Sequence, residues 1–222
     1  MSSKQAILGR IRANIAPTGD DASRRQVADK RLSSHPKGII PAGPERKQEL
    51  VKRFVERAEA AAASVETVSR KEIARAISRF LRDHNLPQRL RRGVDRRLTK
   101  IDWPQRGGPE IATGPSDGSD LVGLSHALGG VAETGTLILT SGTDNPSTLN
   151  FLPENHIVLV DADDITGSYE EIWTRVRRRF GKGKMPRTLN MITGPSRSAD
   201  IEQTLILGAH GPIRLHIIVV KS

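Results

Sequence analysis

No cysteine occurs anywhere in the 222 residues. That removes disulfides, thiolate nucleophiles, zinc–sulfur sites and Cys-ligated iron–sulfur clusters from this chain, so redox work would need a partner that brings the redox group. Aromatic residues make up only 3%. A core must therefore be filled by Leu, Ile, Val and Ala, and a nucleic-acid module that stacks bases on aromatic platforms is disfavoured. No stretch approaches the length of a membrane span, and MSSKQAILGRIRANI lacks the sustained apolar run of a secretory leader. Cytoplasm is the expected compartment. No His-x-x-x-His or similar spacing occurs, so no metal site is expected.

What is present is a chain long enough for one domain plus an appendage. Its net charge of +10 is unevenly spread: residues 1–100 hold 24 Lys/Arg against 11 Asp/Glu, and residues 101–222 hold 11 against 14. The basic half is also the helical half, which reads as a solvated Arg-rich face. The alternative is a non-enzymatic protein docking that face on an acidic partner or nucleic acid.

Residues 4–15 space Ile7, Leu8, Ile11 and Ile15 as a short amphipathic helix. The mixed Pro, Gly, Ser and charge of residues 16–43 predicts an extended arm, of the kind that crosses onto a neighbouring subunit of a homo-oligomer. Residues 1–43 thus form an N-terminal extension, and 44–222 a single α/β domain, helical over 44–87 and sheet-rich over 88–222. From Pro44, Leu50, Val51, Phe54, Val55 and Ala58 fall on one face of a helix running on towards Val68. A second helix follows, opened by a Ser69–Glu72 capping box and carrying Ile73, Ala76, Ile77, Phe80 and Leu81. Beyond Leu98, short apolar runs alternate with Gly and Pro. His156–Val160 and Ile213–Val220 have the β-branched texture of strands buried on both faces. SYEEIWTRVRRRF between them reads as a helix, and TLNMITG as the strand completing a βαβ unit, so a mostly parallel sheet flanked by helices is expected.

Ligands of such sheets sit outside the carboxyl ends of the strands, where glycine-rich loops expose backbone N–H groups. Three stretches have that texture. In GGVAETGTLILTSG, Glu133 stands beside Thr134, Gly135 and Thr136. A carboxylate there can act as general base, nucleophile or acceptor for a ligand hydroxyl, or equally accept from loop N–H groups. In TGPSRSADIEQ, Thr193, Ser196 and Ser198 bring hydroxyls, Gly194 permits close approach, and Arg197 offers a fork for carboxylate or phosphate. The pattern predicts a helix from about Ser198, with Asp200 and Glu202 in its first turn; an ordinary capped turn with Arg197 in a local ion pair satisfies it too. In GAHGP, His210 lies between glycines on a small-sided loop. His126, His156 and His216 read instead as satisfied core or sheet-end residues. NPSTLNFLPENH, from Asn145 to His156, reads as a loop over the pocket or a plain connector.

VAETGTLILTSG, LNFLPENHIVLV and TGPSRSADIEQTLILGAHGP together closely resemble the lactate utilization protein C family, defined by its lactate-utilization domain. The resemblance covers roughly residues 88–222. It implies a fold similar to the sugar-phosphate isomerase, acyl-CoA transferase and formyltetrahydrofolate cyclo-ligase group. It also implies a component of an iron–sulfur-dependent system oxidising L-lactate to pyruvate. The clusters would sit on partner subunits, since the missing cysteines fit the member without clusters. By fold-level analogy, Glu133 aligns with a loop position that holds a carboxylate, and Thr193 to Ser198 with an anion-binding loop for a small carboxylate or phosphate. Either a catalytic or an accessory subunit satisfies these residues, as does a stand-alone acyl or sugar-phosphate enzyme.

Overall fold

The computed structural model describes residues 3–15, 21–36, 38–40, 43, 46–181, 183–201 and 204–221, without the side chains of 15, 21, 199–201 and 204–206. The chain divides into two compact units, Met1–Ile39 and Ile40–Ser222.

The first unit holds two helices, α1 (Ser3–Ile15) and α2 (Asp21–Ser34). The stripe of α1 stands exposed at Ile7, Leu8 and Ile11. The second helix occupies sequence expected to be an extended arm. DASRRQVADKRLSS has good helix formers but no apolar period, because every described side chain of α2 is exposed and no buried face imposes one.

In the second unit, α3 (Lys47–Ala60) buries Leu50, Phe54 and Ala58, three of the five predicted positions. Pro44 lies outside the described residues. The helix stops earlier than its sequence suggests: Ala62 adopts φ 66°, and Ser64–Ser69 is a strand, β1, whose Val65, Thr67 and Val68 suit a pleated surface. Glu72 accepts from the Ser69 amide at 2.9 Å and from its hydroxyl at 2.7 Å, the predicted capping box. It leads into α4 (Ile73–Asp83), which buries the predicted Ile73, Ala76, Ile77, Phe80 and Leu81.

Six strands form one wholly parallel sheet: β1, β2 (Arg89–Arg92), β3 (Glu110–Thr113), β4 (Val122–His126), β7 (Asn155–Asp161) and β12 (Arg214–Lys221). Their spatial order is β1-β12-β7-β4-β2-β3. A short helix, α5 (Arg96–Thr99), follows β2. A second sheet, ordered β8-β5-β6-β9, comprises β5 (Gly129–Val131), β6 (Thr136–Thr140), β8 (Ile165–Thr166) and β9 (Leu189–Ile192). The remaining helices are α6 (Thr148–Phe151) and α7 (Tyr169–Phe180). The stretch after β7 does not form the expected βαβ unit: β9 runs antiparallel to β6 in the smaller sheet, and β7 pairs in parallel with β12 and β4.

Alternation along the central strands explains their unbroken apolar character. Ile157 and Leu159 of β7, with Ile218 and Val220 of β12, pack with α4. Val158 and Val160, with Ile217 and Val219, face α3 and β6. Each buried aliphatic side chain contributes roughly 1.5–3 kcal/mol. The helix α7 covers the small sheet through Ile172 and Val176.

Candidate functional site

The first two glycine-bearing stretches meet at the C-terminal end of α3. A Cβ on Gly135 would lie 2.3 Å from Ala58 N, and one on Gly194 would lie 2.1 Å from the Ala61 oxygen. Both glycines also have positive φ, 69° and 73°. Their common requirement is thus close backbone approach to the helix end. Hydroxyls join the two stretches: Thr136 Oγ1 lies 2.6 Å from Thr193 Oγ1 and 2.7 Å from Thr134 Oγ1, and Tyr169 Oη lies 3.0 and 2.9 Å from Thr134 and Thr136.

The third stretch folds over the second. Ser196 N donates to Pro212 O at 2.9 Å, Gly208 N to Ser196 O at 3.0 Å, and His210 N to Ser196 Oγ at 3.4 Å. These contacts enclose a cleft of about 260 Å³, walled by Thr193 to Arg197 on one side and His210 to Pro212 on the other. Arg197 donates through one terminal nitrogen to Ala61 O at 2.9 Å, and the guanidinium remains exposed. Ser198, the second residue of the strand beyond, lies outside the lining.

One expectation is overturned and a second holds in part. No helix starts near Ser198: Arg197–Ile201 (β10) pairs antiparallel with Thr204–Leu207 (β11), so no helix N-terminus points at an anion. Asp200's side chain and Glu202 lie outside the described residues. The cleft lies at the amino ends of β7 and β12, since His156 and Leu215 are each the second residue of these strands, and at the carboxyl end of β9, whose last residues Met191 and Ile192 also line it. The expected carboxyl-end location thus holds for the loop after β9 and not for the two strands of the six-stranded sheet.

Glu133 does not line the cleft. Its amide donates to Gly167 O at 3.2 Å, and its half-buried carboxylate has no hydrogen-bond or ion-pair partner among the described residues.

The inner wall of the cleft contains His156, expected in the core, and Asn150, from the stretch expected to be a loop over the pocket or a plain connector. His156 is fully buried, with Nε2 2.9 Å from Ser125 Oγ and Nδ1 without a partner. Burial pushes its pKa down to about 3, so the imidazole is neutral. Asn150, on α6, places Oδ1 3.5 Å from Ser125 Oγ and leaves Nδ2 unpaired. NPSTLNFLPENH therefore supplies Asn150, Phe151 and His156 to the cleft. The expectation that His156 is satisfied holds for one ring nitrogen only. His216 belongs to the core: it stacks on Phe80 with ring centroids 4.4 Å apart, and Nδ1 meets Ser64 Oγ at 2.8 Å. Among the described residues, no group of three or more His, Cys, Asp or Glu is arranged to hold a metal ion. No described helix is long and apolar enough to cross a membrane.

The model of the LUD domain family matches residues 51–220. Curated relatives include the lactate utilization protein C of Bacillus subtilis (strain 168), 32% identical over 139 residues that make up 59% of this chain and 58% of that protein. The protein of the same name from Geobacillus sp. (strain WCH70) is 37% identical over 102 residues, 46% of this chain and 42% of that one. The matched region thus spans about half the length of these curated relatives. Among solved structures, a DUF162 family protein from Deinococcus radiodurans superposes with a TM-score of 0.59 at 24% identity, covering 80% of this chain and 99% of that one.

Proposed function

Because the chain belongs to the LUD domain family, we propose that it works in lactate utilization, as a cytoplasmic component that binds a small carboxylate or phosphate in the cleft between Thr193–Arg197 and His210–Pro212. The observation that carries this reading is the convergence of the TGPSR and GAHGP motifs on one cleft, in a chain related to proteins named lactate utilization protein C. Arg197 supplies the cation. One terminal nitrogen is held by Ala61 O and steadies the fork, while the remaining N–H groups stay available to an anion. The motif glycines seat the loops on α3, and the threonine–tyrosine cluster locks the two loops together. Glu133 stands outside the lining and takes no part in this binding step.

The cysteine-free composition supports an accessory role beside iron–sulfur subunits that carry electrons from L-lactate on its way to pyruvate. A strain deleted for the gene and complemented with wild type or Arg197→Ala tests the reading. Wild type should restore growth on L-lactate, and Arg197→Ala should restore it poorly while both support growth on glucose. Calorimetric titration with lactate and pyruvate should show heats that Arg197→Ala abolishes. Equal heats and equal growth for the two proteins would remove Arg197 from the site. Cross-linked pull-down from lactate-grown cells should recover cysteine-rich iron–sulfur proteins.

A further inference from the structure

The carboxyl edge of the six-stranded sheet, opposite the cleft, carries a second arrangement of charge. Arg70 follows the last residue of β1, while His126 and Asp161 end β4 and β7. Asp161 accepts from Arg70 at 2.8 Å and lies 3.3 Å from His126 Nε2. Arg97, in α5, is gripped by Asp95 through Nε at 3.1 Å and a terminal nitrogen at 2.7 Å. Its other terminal nitrogen lies 3.4 Å from Ala127 O. These contacts fix the guanidinium in place before any ligand arrives.

A cavity of about 220 Å³ opens against both arginines, and its remaining walls are Arg96, Lys100 and the apolar Ile73 and Ile101. Every ionisable group on that wall is a cation. Arg70 and Arg97 have carboxylate partners, but among the described residues Arg96 and Lys100 have none within ion-pair distance. The two are four residues apart along α5 and its C-cap, like charges that repel across one helical turn unless something negative lies between them.

We propose that this cavity binds a phosphoryl dianion, the phosphate of a small phosphorylated compound, between Arg96, Lys100 and the fixed Arg97. Two uncompensated cations match the charge of a phosphate monoester. The guanidinium forks suit its oxygens, and Ile73 and Ile101 offer an apolar floor to the group that the phosphate esterifies. The position also agrees with the general rule for α/β sheets, whose ligands sit outside the carboxyl ends of the strands. A merely solvated basic face needs neither a cavity nor an arginine gripped through two nitrogens by one carboxylate.

The test is calorimetric titration of the full chain with inorganic phosphate and with phenyl phosphate at about 0.1 M salt, where charges farther apart than roughly 10 Å are screened. Binding should be saturable, tighter for phenyl phosphate, and weakened about tenfold or more by the double substitution Arg96→Gln/Lys100→Gln. Removing the same charge elsewhere, at the exposed Arg178 and Lys184 as Arg178→Gln/Lys184→Gln, should leave it unchanged. All four positions are exposed, and thermal melting confirms that each variant is folded. Absence of saturable binding in wild type, or equal weakening by the two double variants, overturns the proposal.

Discussion

Gly194 stands so close to Ala61 that a Cβ at this glycine would lie 2.1 Å from the Ala61 carbonyl oxygen, the same oxygen that accepts from Arg197 at 2.9 Å. The end of α3 is thereby both the seat of the cleft loop and the anchor of its arginine. Stability and ligand geometry share one contact.

Substituting that glycine should therefore unfold the loop from its seat. Gly194→Ala must relieve a backbone clash and a positive φ, and Gly135→Ala faces the same two demands against Ala58. Each should cost roughly 1–3 kcal/mol or more, read as a lowered urea midpoint. Gly142→Ala, whose Cβ would meet nothing nearer than 3.9 Å, should stay within about 0.5 kcal/mol. Three equal midpoints would refute the seating argument.

Two buried histidines set a pH dependence. Burial pushes His156 to about 3 and His216 to about 4, whereas an unfolded histidine titrates near 6.5. Between those values the unfolded chain binds protons that the folded chain refuses, so stability rises with pH. It is fully present above about pH 6.5 and is lost as pH falls, at about 1.4 kcal/mol per pH unit for each histidine in mid-window. Urea denaturation at a series of pH values should show this slope, and His156→Gln should flatten it by about one proton. A slope unchanged in that variant would mean the imidazole is hydrated in the folded state.

Glu133 offers a clean separation of family signature from binding residue. Its carboxylate has no partner among the described residues and lies outside the cleft lining. Glu133→Gln should keep stability within about 0.5 kcal/mol and leave anion binding in the cleft within about twofold of wild type, under 0.5 kcal/mol. A large loss of affinity would bring Glu133 back into the site.

What could be read from the residues followed burial on a single element. The Ile73–Leu81 stripe of α4 and the apolar runs of β7 and β12 announce themselves because one helix face or both strand faces are apolar. Strand β2 does not: in RLRR only Leu90 is buried, and parallel pairing with β3 and β4 makes it a strand. SRSADIE has the composition of a helix cap, and the antiparallel pairing of β10 with β11 overrides it. Of the site, TGPSR and GAHGP were legible as glycine-rich loops. Ser125, Asn150 and His156 were not, because their meeting depends on β4, α6 and β7 packing together and leaves no local spacing.

The packing of α3 on the small sheet can be tested as a coupling between two positions. Phe54 is fully buried, and a Cβ on Gly130 would lie 2.8 Å from its Cε2, so the glycine in β5 exists to admit the ring. Phe54→Leu removes part of the ring and should destabilise by roughly 1–3 kcal/mol. Gly130→Ala alone should cost a similar amount by forcing the ring off its seat. Together they should cost less than the sum, because the new methyl enters space that the ring has vacated. A double-mutant cycle should return a favourable coupling of about 0.5–3 kcal/mol. Additive costs would show that α3 does not bear on β5 through Phe54, and with it would fall the view that this helix organises both the core and the cleft loops.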